Sequence, residues 1–393
     1  MSRYYEFFCP VKILAGLSAL DHLAFELGQY NAKNPLILTD KGVKSAGLLD
    51  IVLNSLAASN ISVNVYDDVP PDSSFTTVSE VAKRYHTNGC DAIIAIGGGS
   101  VIDTAKATNI LASENADDLR PFAGAHKLNR PLKPLIIIPT TAGTGSEVTS
   151  VAVISDESSH TKVSFLSHYL LPNVALLDPR MTQSLPPKIT AMTAMDALTH
   201  AIEAYLGLAK NPMSDAYAFC AIRLISENLM VVIDNPNDSE KRLALAQAST
   251  MAGIAFSNSM VGLVHSVGHA TGAVCGLPHG QCMSIYLPFV LAFNKQKLDN
   301  TIGELLLPLA GAQIYANTPS AQRADKVIEA INQLKDKLHA KTGLARTLSE
   351  TGKVTKADFN SIIDKALDDG SILYSVTEAD KDDISALVAK AFG

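Results

Sequence analysis

Two kinds of apolar pattern alternate along the first half of the chain. Short apolar runs of strand length occur at residues 35–39, 61–66, 91–96 and 134–138. Segments with helical spacing follow two of these runs, at 78–84 and 101–113. Apolar strands that alternate with helices are typical of a mostly parallel sheet covered on both faces. The first half therefore predicts an α/β domain with a Rossmann-like parallel sheet.

The pattern changes after about residue 185, where strand patterns disappear and long helical patterns begin. These cover residues 190–206, 213–229, 239–256 and 324–341. In the last of them Val327, Ile331 and Leu338 fall on one helical face. Adjacent prolines in segment 177–187 interrupt regular structure. We therefore predict an α/β domain over residues 1–185 and an all-helical domain over residues 186–393, with the functional site in the cleft between them.

Composition and charge exclude several classes of protein. The 393 residues are 47% apolar and 18% charged, which is typical of a soluble globular protein. No uninterrupted apolar run approaches the roughly 18 residues of a membrane span, and the N-terminal sequence lacks the features of a signal peptide. The net charge of −7 is spread along the chain and offers no basic stripe for nucleic acid. The five cysteines form no CxxC pair, which favours reduced thiols. We predict a cytoplasmic protein with no membrane or nucleic-acid partner.

Two glycine-rich turns follow predicted strands. The first is Gly97, Gly98, Gly99 and Ser100; the second covers residues 140–147 and is rich in hydroxyl groups. Glycines allow a close approach of the backbone to an anion, and the N-terminus of a following helix adds free N–H groups. Neither turn matches a complete dinucleotide or P-loop fingerprint, so each alone could be a structural turn. Together, at the ends of neighbouring strands, they favour a nucleotide site.

Asp40 directly follows the first buried strand. A carboxylate at this position can bind the adenosine ribose and repel a 2′-phosphate, which favours NAD over NADP. An aspartate there can equally be the N-cap of a helix. Both interpretations stay open from position alone.

The sharpest chemical pattern lies between residues 196 and 279. Asp196 and His200 are four residues apart in a helical segment, so both lie on one helical face. His265 and His269 form another pair with this spacing, and His279 follows in a Leu-Pro-His-Gly sequence. A carboxylate and several imidazoles suit a divalent transition metal, whereas a single such pair is more often a surface or core feature. A converging set explains all of these side chains together, and it predicts a metal site.

Four segments resemble, in order and spacing, the motifs of the iron-containing alcohol dehydrogenases. They are GGGSVIDTAK, PTTAGTGSEVT, MDALTHAIEAY and GLVHSVGHATGAVCGLPHG. The resemblance covers nearly the whole chain, and members of similar length include lactaldehyde reductases and 1,3-propanediol dehydrogenases. It implies a dehydroquinate synthase-like architecture, NAD and Fe²⁺ as cofactors, and a small alcohol, diol or aldehyde as substrate. Zn²⁺ remains an alternative metal. The helical second domain and the exposed edge strands of the predicted sheet favour a homodimer or an assembly of dimers.

The resemblance also implies roles for individual residues. The metal ligands fall on Asp196, His200, His265 and His279. The second histidine of the HxxxH pair, His269, would lie near the metal without binding it and would carry a proton. The residues that would contact the cofactor are Asp40, Asp72, Gly97, Gly98, Gly99, Ser100, Thr140, Thr141, Thr144, Ser146 and Lys162. Asp72 stands where relatives often have asparagine, and the sequence DDGSILYSV replaces a C-terminal NPR segment, so the roles of these two places stay open.

The predicted reaction is hydride transfer between the carbinol carbon of an alcohol and nicotinamide, with the metal acting on the alcohol oxygen. Three other functions stay open from sequence: glycerol dehydrogenase-like polyol oxidation, a lyase resembling dehydroquinate synthase, and non-catalytic binding of metal or nucleotide. The lyase would need a basic pocket, and few Lys or Arg residues surround the metal motifs.

Overall fold

The computed structural model describes residues 4–158 and 161–393, which form two compact units. The first, here the α/β unit, comprises Cys9–Leu185 and Asp238–Thr250. The second, here the helical unit, comprises a short segment that ends at Phe8, together with Pro186–Asn237 and Met251–Gly393.

Nine strands occur in the described part of the chain, all of them in the α/β unit. They are β1 (Lys12–Ala15), β2 (Pro35–Leu38), β3 (Asn64–Tyr66), β4 (Ala92–Gly97), β5 (Gly124–Ala125), β6 (Leu135–Pro139), β7 (Val151–Asp156), β8 (Thr161–Leu166) and β9 (Val174–Leu177). Six of them form one sheet in the order β1-β9-β6-β4-β2-β3, and every neighbouring pair in it is parallel. This sheet confirms the predicted parallel α/β fold.

The parallel sheet is buried on both faces because its central strands are apolar at every position. Ile37 and Ile94 belong to the core on one face, whereas Leu36 and Ile93 belong to the core on the other. Five α-helices lie wholly within the α/β unit. They are α1 (Leu23–Gln29), α2 (Lys41–Ser45), α3 (Leu48–Leu56), α4 (Phe75–Thr87) and α5 (Gly99–Glu114).

The remaining three strands form a small second sheet in the order β5-β8-β7. Strands β7 and β8 are an antiparallel hairpin, and β5 pairs with β8 in parallel. The sequence analysis did not predict this sheet. Strand β7 alternates between buried and less buried positions and most of β8 is exposed or half-buried, and the two strands carry the polar residues Ser155, Thr161, Lys162 and Ser164, unlike the apolar central strands of the parallel sheet.

The rest of the chain forms helices, as predicted. They are α6 (Pro187–Leu206), α7 (Pro212–Asp234), α8 (Ser239–Ser257), α9 (Leu263–Cys275), α10 (His279–Glu304), α11 (Leu306–Ala310), α12 (Ala312–Asn317), α13 (Arg323–Thr342), α14 (Phe359–Leu367) and α15 (Lys381–Phe392). The division between the two units falls inside α8. In the helical unit α6 packs against α7 and α10, and α9 packs against α10 and α14. This arrangement brings α6, α9 and the start of α10 together.

The sequence offered no candidate for a membrane span, but helix α7 is long and apolar enough to be one. It has 23 residues and a mean hydropathy of 1.6 over its most apolar window, so by length and composition it could cross a membrane. The search for an uninterrupted apolar run missed it because Arg223 and Glu227 interrupt the sequence. In the structure Ile222, Ile225 and Leu229 are buried, and the helix packs against α6 and α11. One apolar face packed on neighbouring helices is the arrangement of a core helix.

Candidate active site

Four side chains converge in the helical unit. Asp196 and His200 lie one turn apart on α6, His265 lies in the first turn of α9, and His279 is the first residue of α10. Each offers one ligand atom, and these atoms all lie within 4.8 Å of one another. Asp196, His200 and His265 are buried, whereas 40% of the His279 side chain is exposed. The four residues therefore surround one point that is open to solvent on the His279 side.

Burial sets the protonation states in this cluster. It lowers the pKa of His200 to about 3 and holds the pKa of His265 well below its usual value. Burial alone would raise the pKa of Asp196, but the attraction of His279, whose Nε2 lies 3.1 Å from Asp196 Oδ1, outweighs it and lowers that pKa. A carboxylate binds a cation in its ionised form, and an imidazole binds a cation in its neutral form.

Unpaired buried atoms show that the cluster fits a metal ion. His200 Nδ1 and His265 Nε2 are buried and make no hydrogen bond with any residue that the structure describes, and the buried Asp196 Oδ1 faces His279 Nε2 at 3.1 Å without hydrogen-bond geometry. Leaving buried polar atoms without partners is costly. A divalent cation would be the missing partner of Asp196 Oδ1 and His265 Nε2. Three imidazoles and one carboxylate suit Fe²⁺, Zn²⁺ or similar ions.

Two further residues hold the imidazoles in place, and the sequence analysis identified neither role. Glu203 lies on α6 one turn after His200, and its Oε2 is 2.5 Å from His265 Nδ1. Phe256 stacks on His200, with ring centroids 4.3 Å apart. The spacing of Asp196, His200 and Glu203 at i, i+4 and i+7 places all three on one helical face, so the sequence did contain a pattern that could have revealed Glu203.

His269 lies beside the cluster but is not part of it. Its ring centroid is 5.5 Å from that of His265 and 5.2 Å from that of His279. Its Nδ1 is 2.9 Å from Oδ2 of Asp369, and 41% of its side chain is exposed. The pKa of Asp369 is lowered because the hydrogen bond and charge of His269 outweigh the effect of burial. Asp369 lies in the DDGSILYSV segment, whose contribution the sequence left open.

The first glycine-rich turn lies at the carboxyl end of β4 in the α/β unit. Gly97 ends the strand, Gly98 is the N-cap of α5, and Gly99 and Ser100 begin the helix. A Cβ on Gly98 would lie 3.3 Å from Thr141 Oγ1, and a Cβ on Gly99 would lie 3.1 Å from Thr144 Cγ2. Glycine therefore lets the second glycine-rich turn pack closely against this helix N-terminus.

The second turn lies next to the first, because β6 pairs with β4 and Pro139 is in register with Gly97. The N–H of Thr140 donates to Gly97 O at 3.1 Å. Farther along the turn, the N–H of Ser146 donates to Thr144 Oγ1 at 3.2 Å. The hydroxyl residues at 140, 141, 144 and 146 therefore lie close to the glycine turn, which gives the unit a polar edge suited to a phosphate.

The other predicted cofactor residues lie at the same end of the parallel sheet or on the hairpin. Asp40 follows β2 and caps α2, accepting a hydrogen bond from Val43 N at 2.8 Å. Asp72 has a positive φ of 51° and pairs with Lys162 on β8, with an Nζ–Oδ1 distance of 2.7 Å. Both members of this ion pair are more than half exposed. The capping role of Asp40 is thus present, and its second carboxylate oxygen is not used by the cap.

Lys106, in the GGGSVIDTAK motif, has a structural role. It is fully buried in α5, and its Nζ donates to Thr149 O at 2.7 Å, to Thr149 Oγ1 at 3.0 Å and to Val151 O at 2.8 Å. Burial lowers its pKa to about 8. The three bonds join α5 to the segment that leads into β7, so Lys106 holds the second turn against the helix that begins at the first.

Comparisons with known proteins agree with this geometry. The family model "Iron-containing alcohol dehydrogenase" matches residues 10–179, and "Fe-containing alcohol dehydrogenase family, C-terminal" matches residues 190–392. The NAD-dependent methanol dehydrogenase of Bacillus methanolicus is 35% identical over 98% of this chain and 99% of its own length. The 1,3-propanediol dehydrogenase of Klebsiella pneumoniae is 33% identical over 99% of both chains.

A solved structure extends the agreement to the whole fold. The crystal structure of a 1,3-propanediol oxidoreductase covers 99% of this chain and 100% of its own, with a TM-score of 0.94 and 32% identity. The dehydroquinate synthase-like architecture is therefore present. Two family models that together span nearly the whole chain, and relatives of equal length, place the protein in the iron-containing alcohol dehydrogenase family.

Proposed function

We propose that the protein is a metal-dependent, NAD(H)-linked alcohol dehydrogenase, or aldehyde reductase, that acts on small primary alcohols, diols or aldehydes. One observation carries the proposal: Asp196, His200, His265 and His279 converge within 4.8 Å in a chain of this family. Three imidazoles and one carboxylate leave coordination positions for a substrate oxygen, as catalytic metal sites require.

In this proposal the four residues are the metal ligands and Fe²⁺ is the native metal, as the family description indicates. The same donor set would also hold Zn²⁺, which binds more tightly in the general order of affinities. The two neutral imidazoles His200 and His265 need not lose a proton to bind the ion, and Asp196 supplies negative charge.

The bound ion would polarise the oxygen of the alcohol or aldehyde, and the nicotinamide would accept or supply the hydride. His269 carries the proton that accompanies this transfer. Its Nδ1–H is donated to Asp369, which leaves Nε2 as the basic nitrogen that can take up a proton. The exposed part of the ring gives that proton a path to solvent.

The α/β unit binds the coenzyme in this proposal, so residues 1–185 form the nucleotide-binding domain and residues 186–393 the metal-binding domain. Gly97, Gly98, Gly99 and Ser100 face the pyrophosphate. The hydroxyl side chains of Thr140, Thr141, Thr144 and Ser146 line the cofactor site, together with Asp72 and Lys162. Asp40 contacts the adenosine ribose through the carboxylate oxygen that the α2 cap does not use, and this favours NAD over NADP.

The substrate class follows from the same site and from the relatives. Phe256 presents an apolar ring beside His200. A small, partly apolar substrate that places one hydroxyl or carbonyl oxygen on the cation fits a site with a single cationic centre and an aromatic wall. Methanol and 1,3-propanediol are named for the relatives, and both are of this class.

We also propose a homodimer, or an assembly of dimers, in the cytoplasm. Strand β1 lies at an edge of the parallel sheet. Ile13 on β1 and the nearby Leu17 are 38% and 55% exposed. An edge strand with exposed apolar side chains favours pairing with another copy. The cysteines Cys9, Cys90, Cys220, Cys275 and Cys282 are all free thiols, which suits a reducing compartment.

The experiment that tests the function is anaerobic NADH oxidation with short aldehydes. Protein stripped of metal is reloaded with Fe²⁺ or Zn²⁺, and the absorbance of NADH is followed. We expect no turnover without metal and restored turnover with at least one of the two ions. Protein that binds both metal and NAD but turns over no aldehyde would contradict the proposal and favour the lyase or the non-catalytic function.

A further inference from the structure

Glu203 contacts a metal ligand and a helix terminus at the same time. It lies on α6 with Asp196 and His200, and only 7% of its surface is exposed. Its Oε2 is 2.5 Å from His265 Nδ1, and its Oε1 accepts a hydrogen bond from Val264 N at 2.6 Å. Burial raises the pKa of Glu203 to about 7, and hydrogen bonds from the backbone N–H groups of Gly262, Val264 and His265 oppose that rise. One side chain of α6 therefore binds the first turn of α9.

The contact with Nδ1 determines which nitrogen of His265 faces the metal cluster. His265 Nδ1 contacts Glu203, so Nε2 is the nitrogen that can bind a cation in the cluster. Nε2 needs its lone pair for this, and Nδ1 must then carry the proton and donate it to Glu203 Oε2. His265 Nε2 is the buried atom that finds no partner among the described residues. The carboxylate thus selects the tautomer in which Nε2 can bind a cation.

The contact with Val264 fixes where α9 begins. Helix α9 starts at Leu263, and its N-cap, Gly262, has no side chain with which to cap the free N–H groups. Glu203 supplies the cap from another helix, and a carboxylate is favourable at the positive end of a helix dipole. A Cβ on Gly262 would lie 3.3 Å from Glu203 Oε1 and 3.1 Å from Ser375 Oγ, so glycine allows the carboxylate this close approach.

We propose that Glu203 is a positioning residue for the metal site. It fixes the tautomer of His265 and joins the start of α9 to α6, so that ligands from two helices keep one geometry. This inference rests on the proposed metal-dependent function. It concerns the geometry and affinity of the site, which can be measured without turnover.

The test compares metal binding by the full-length protein and the Glu203→Gln variant. A carboxamide accepts a hydrogen bond at one end and donates at the other. Either Val264 N–H then loses its acceptor, or Nδ1 of His265 must accept and its proton moves to Nε2. We expect Glu203→Gln to bind Zn²⁺ about 10- to 100-fold more weakly in competition with a chromophoric chelator. The visible absorption of the Co²⁺-loaded protein should also change.

The matched control is Glu304→Gln, in the same unit. Glu304 Oε2 accepts a hydrogen bond from the Tyr205 hydroxyl at 2.7 Å and belongs to no part of the metal site. This control should keep wild-type Zn²⁺ affinity and the wild-type Co²⁺ spectrum. Glu203→Asp keeps the charge but withdraws the carboxylate by about 1.5 Å, so it should weaken binding less than Glu203→Gln does.

The outcomes separate this inference from the proposed function. Failure of the wild-type protein to bind Zn²⁺ or Co²⁺ would contradict the metal site itself. Wild-type affinity and an unchanged Co²⁺ spectrum in a folded Glu203→Gln protein would overturn only the role of Glu203. Circular dichroism and thermal unfolding of the metal-free proteins establish folding. If Glu203→Gln does not fold, Glu203→Asp decides, because wild-type affinity and spectrum in that variant would also overturn the role.

Discussion

His269 and Asp369 are 100 residues apart in the sequence, yet they form a hydrogen-bonded pair, with Nδ1 2.9 Å from Oδ2. Asp369 also accepts a hydrogen bond from Ser371 N at 2.8 Å, which holds the carboxylate at the start of a short 3-10 helix. Asp369 therefore holds Nδ1 of the His269 ring, and Nε2 lies on the side of the ring away from Asp369. This anchoring supports the proposed role of His269 as the proton carrier.

The first prediction concerns this pair. Replacing His269 by alanine should lower kcat by about 100-fold, because general acid–base groups contribute at least that much, and it should leave the metal bound. Replacing Asp369 by asparagine should lower kcat less, because the imidazole remains but loses its charged partner. Steady-state kinetics and metal analysis of both proteins check this. A wild-type rate in the alanine variant would exclude the proton-carrying role.

The second prediction concerns the ligands. His265→Ala or Asp196→Asn should abolish metal retention and turnover together, because each removes one of four donors and leaves the others buried without a partner. Metal content after gel filtration and NADH oxidation should fall in parallel. The control is His22→Ala, since His22 is an exposed residue of the α/β unit. Full turnover in either ligand variant would contradict the assignment.

The strands of the parallel sheet differ in how clearly the sequence predicts them. The pattern predicted β2, β4 and β6 because central strands of a parallel sheet are apolar at every position. It missed β1, an edge strand whose residues are mostly exposed, and it also missed β9, although β9 is as short and as apolar as the predicted β2. It also missed the β7–β8 hairpin, whose exposed positions carry polar residues.

The residues of the site were also predicted only in part. Helical spacing alone places Asp196 and His200 on one face, and Glu203 could have been added by the same rule. The pairing of His269 with Asp369 could not be predicted from the sequence, because it depends on how α9 packs against α14 and the 3-10 helix that follows. Contacts between distant segments are set by tertiary packing, which local periodicity does not contain.

The third prediction concerns the glycine turn. Gly98 has φ −88° and ψ −165°, which alanine can adopt, and a Cβ there would lie 3.3 Å from Thr141 Oγ1. Gly98→Ala should therefore fold but raise the KM for NADH by about 10-fold or more, because the methyl group would occupy space next to the N–H groups that face the phosphate in the proposed coenzyme site. Metal affinity should not change.

Gly97→Ala provides the contrast. Its Cβ would lie 2.6 Å from Val101 Cβ, so the helix must shift, and we expect the free energy of unfolding to fall by about 1–3 kcal/mol. Coenzyme titrations and denaturant unfolding of both variants separate the two effects. Equal KM values for Gly98→Ala and wild type would show that the turn is not part of the coenzyme site.

The fourth prediction concerns coenzyme choice. Asp40→Ser keeps an oxygen that can cap α2 but removes the negative charge that would repel a 2′-phosphate. The ratio of kcat/KM for NADPH to that for NADH should rise by about 10-fold or more, the size of a lost charge repulsion of ~1.4 kcal/mol. Thermal unfolding should stay close to wild type. An unchanged ratio would leave Asp40 with its capping role alone.

The last prediction concerns Lys106, which is buried and donates three hydrogen bonds. Lys106→Met removes all three donors and leaves the carbonyl groups of Thr149 and Val151 without them, so the free energy of unfolding should fall by about 3 kcal/mol. Lys44→Met is the control: Lys44 forms an exposed ion pair with Asp67, and losing such a pair costs about 0–1 kcal/mol. Urea unfolding of the three proteins measures both changes.

The pH dependence of this effect has a definite sign. Burial lowers the pKa of Lys106 to about 8, below its ordinary value of 10.5. Between these values the unfolded chain binds more protons at this residue than the folded chain does, so the contribution of Lys106 to the free energy of unfolding rises with pH. The difference in stability between wild type and Lys106→Met should therefore widen from pH 8 to 10. A difference that narrows over this range would mean that the three hydrogen bonds, which only the ammonium form can donate together, outweigh the effect of burial on the pKa of Lys106.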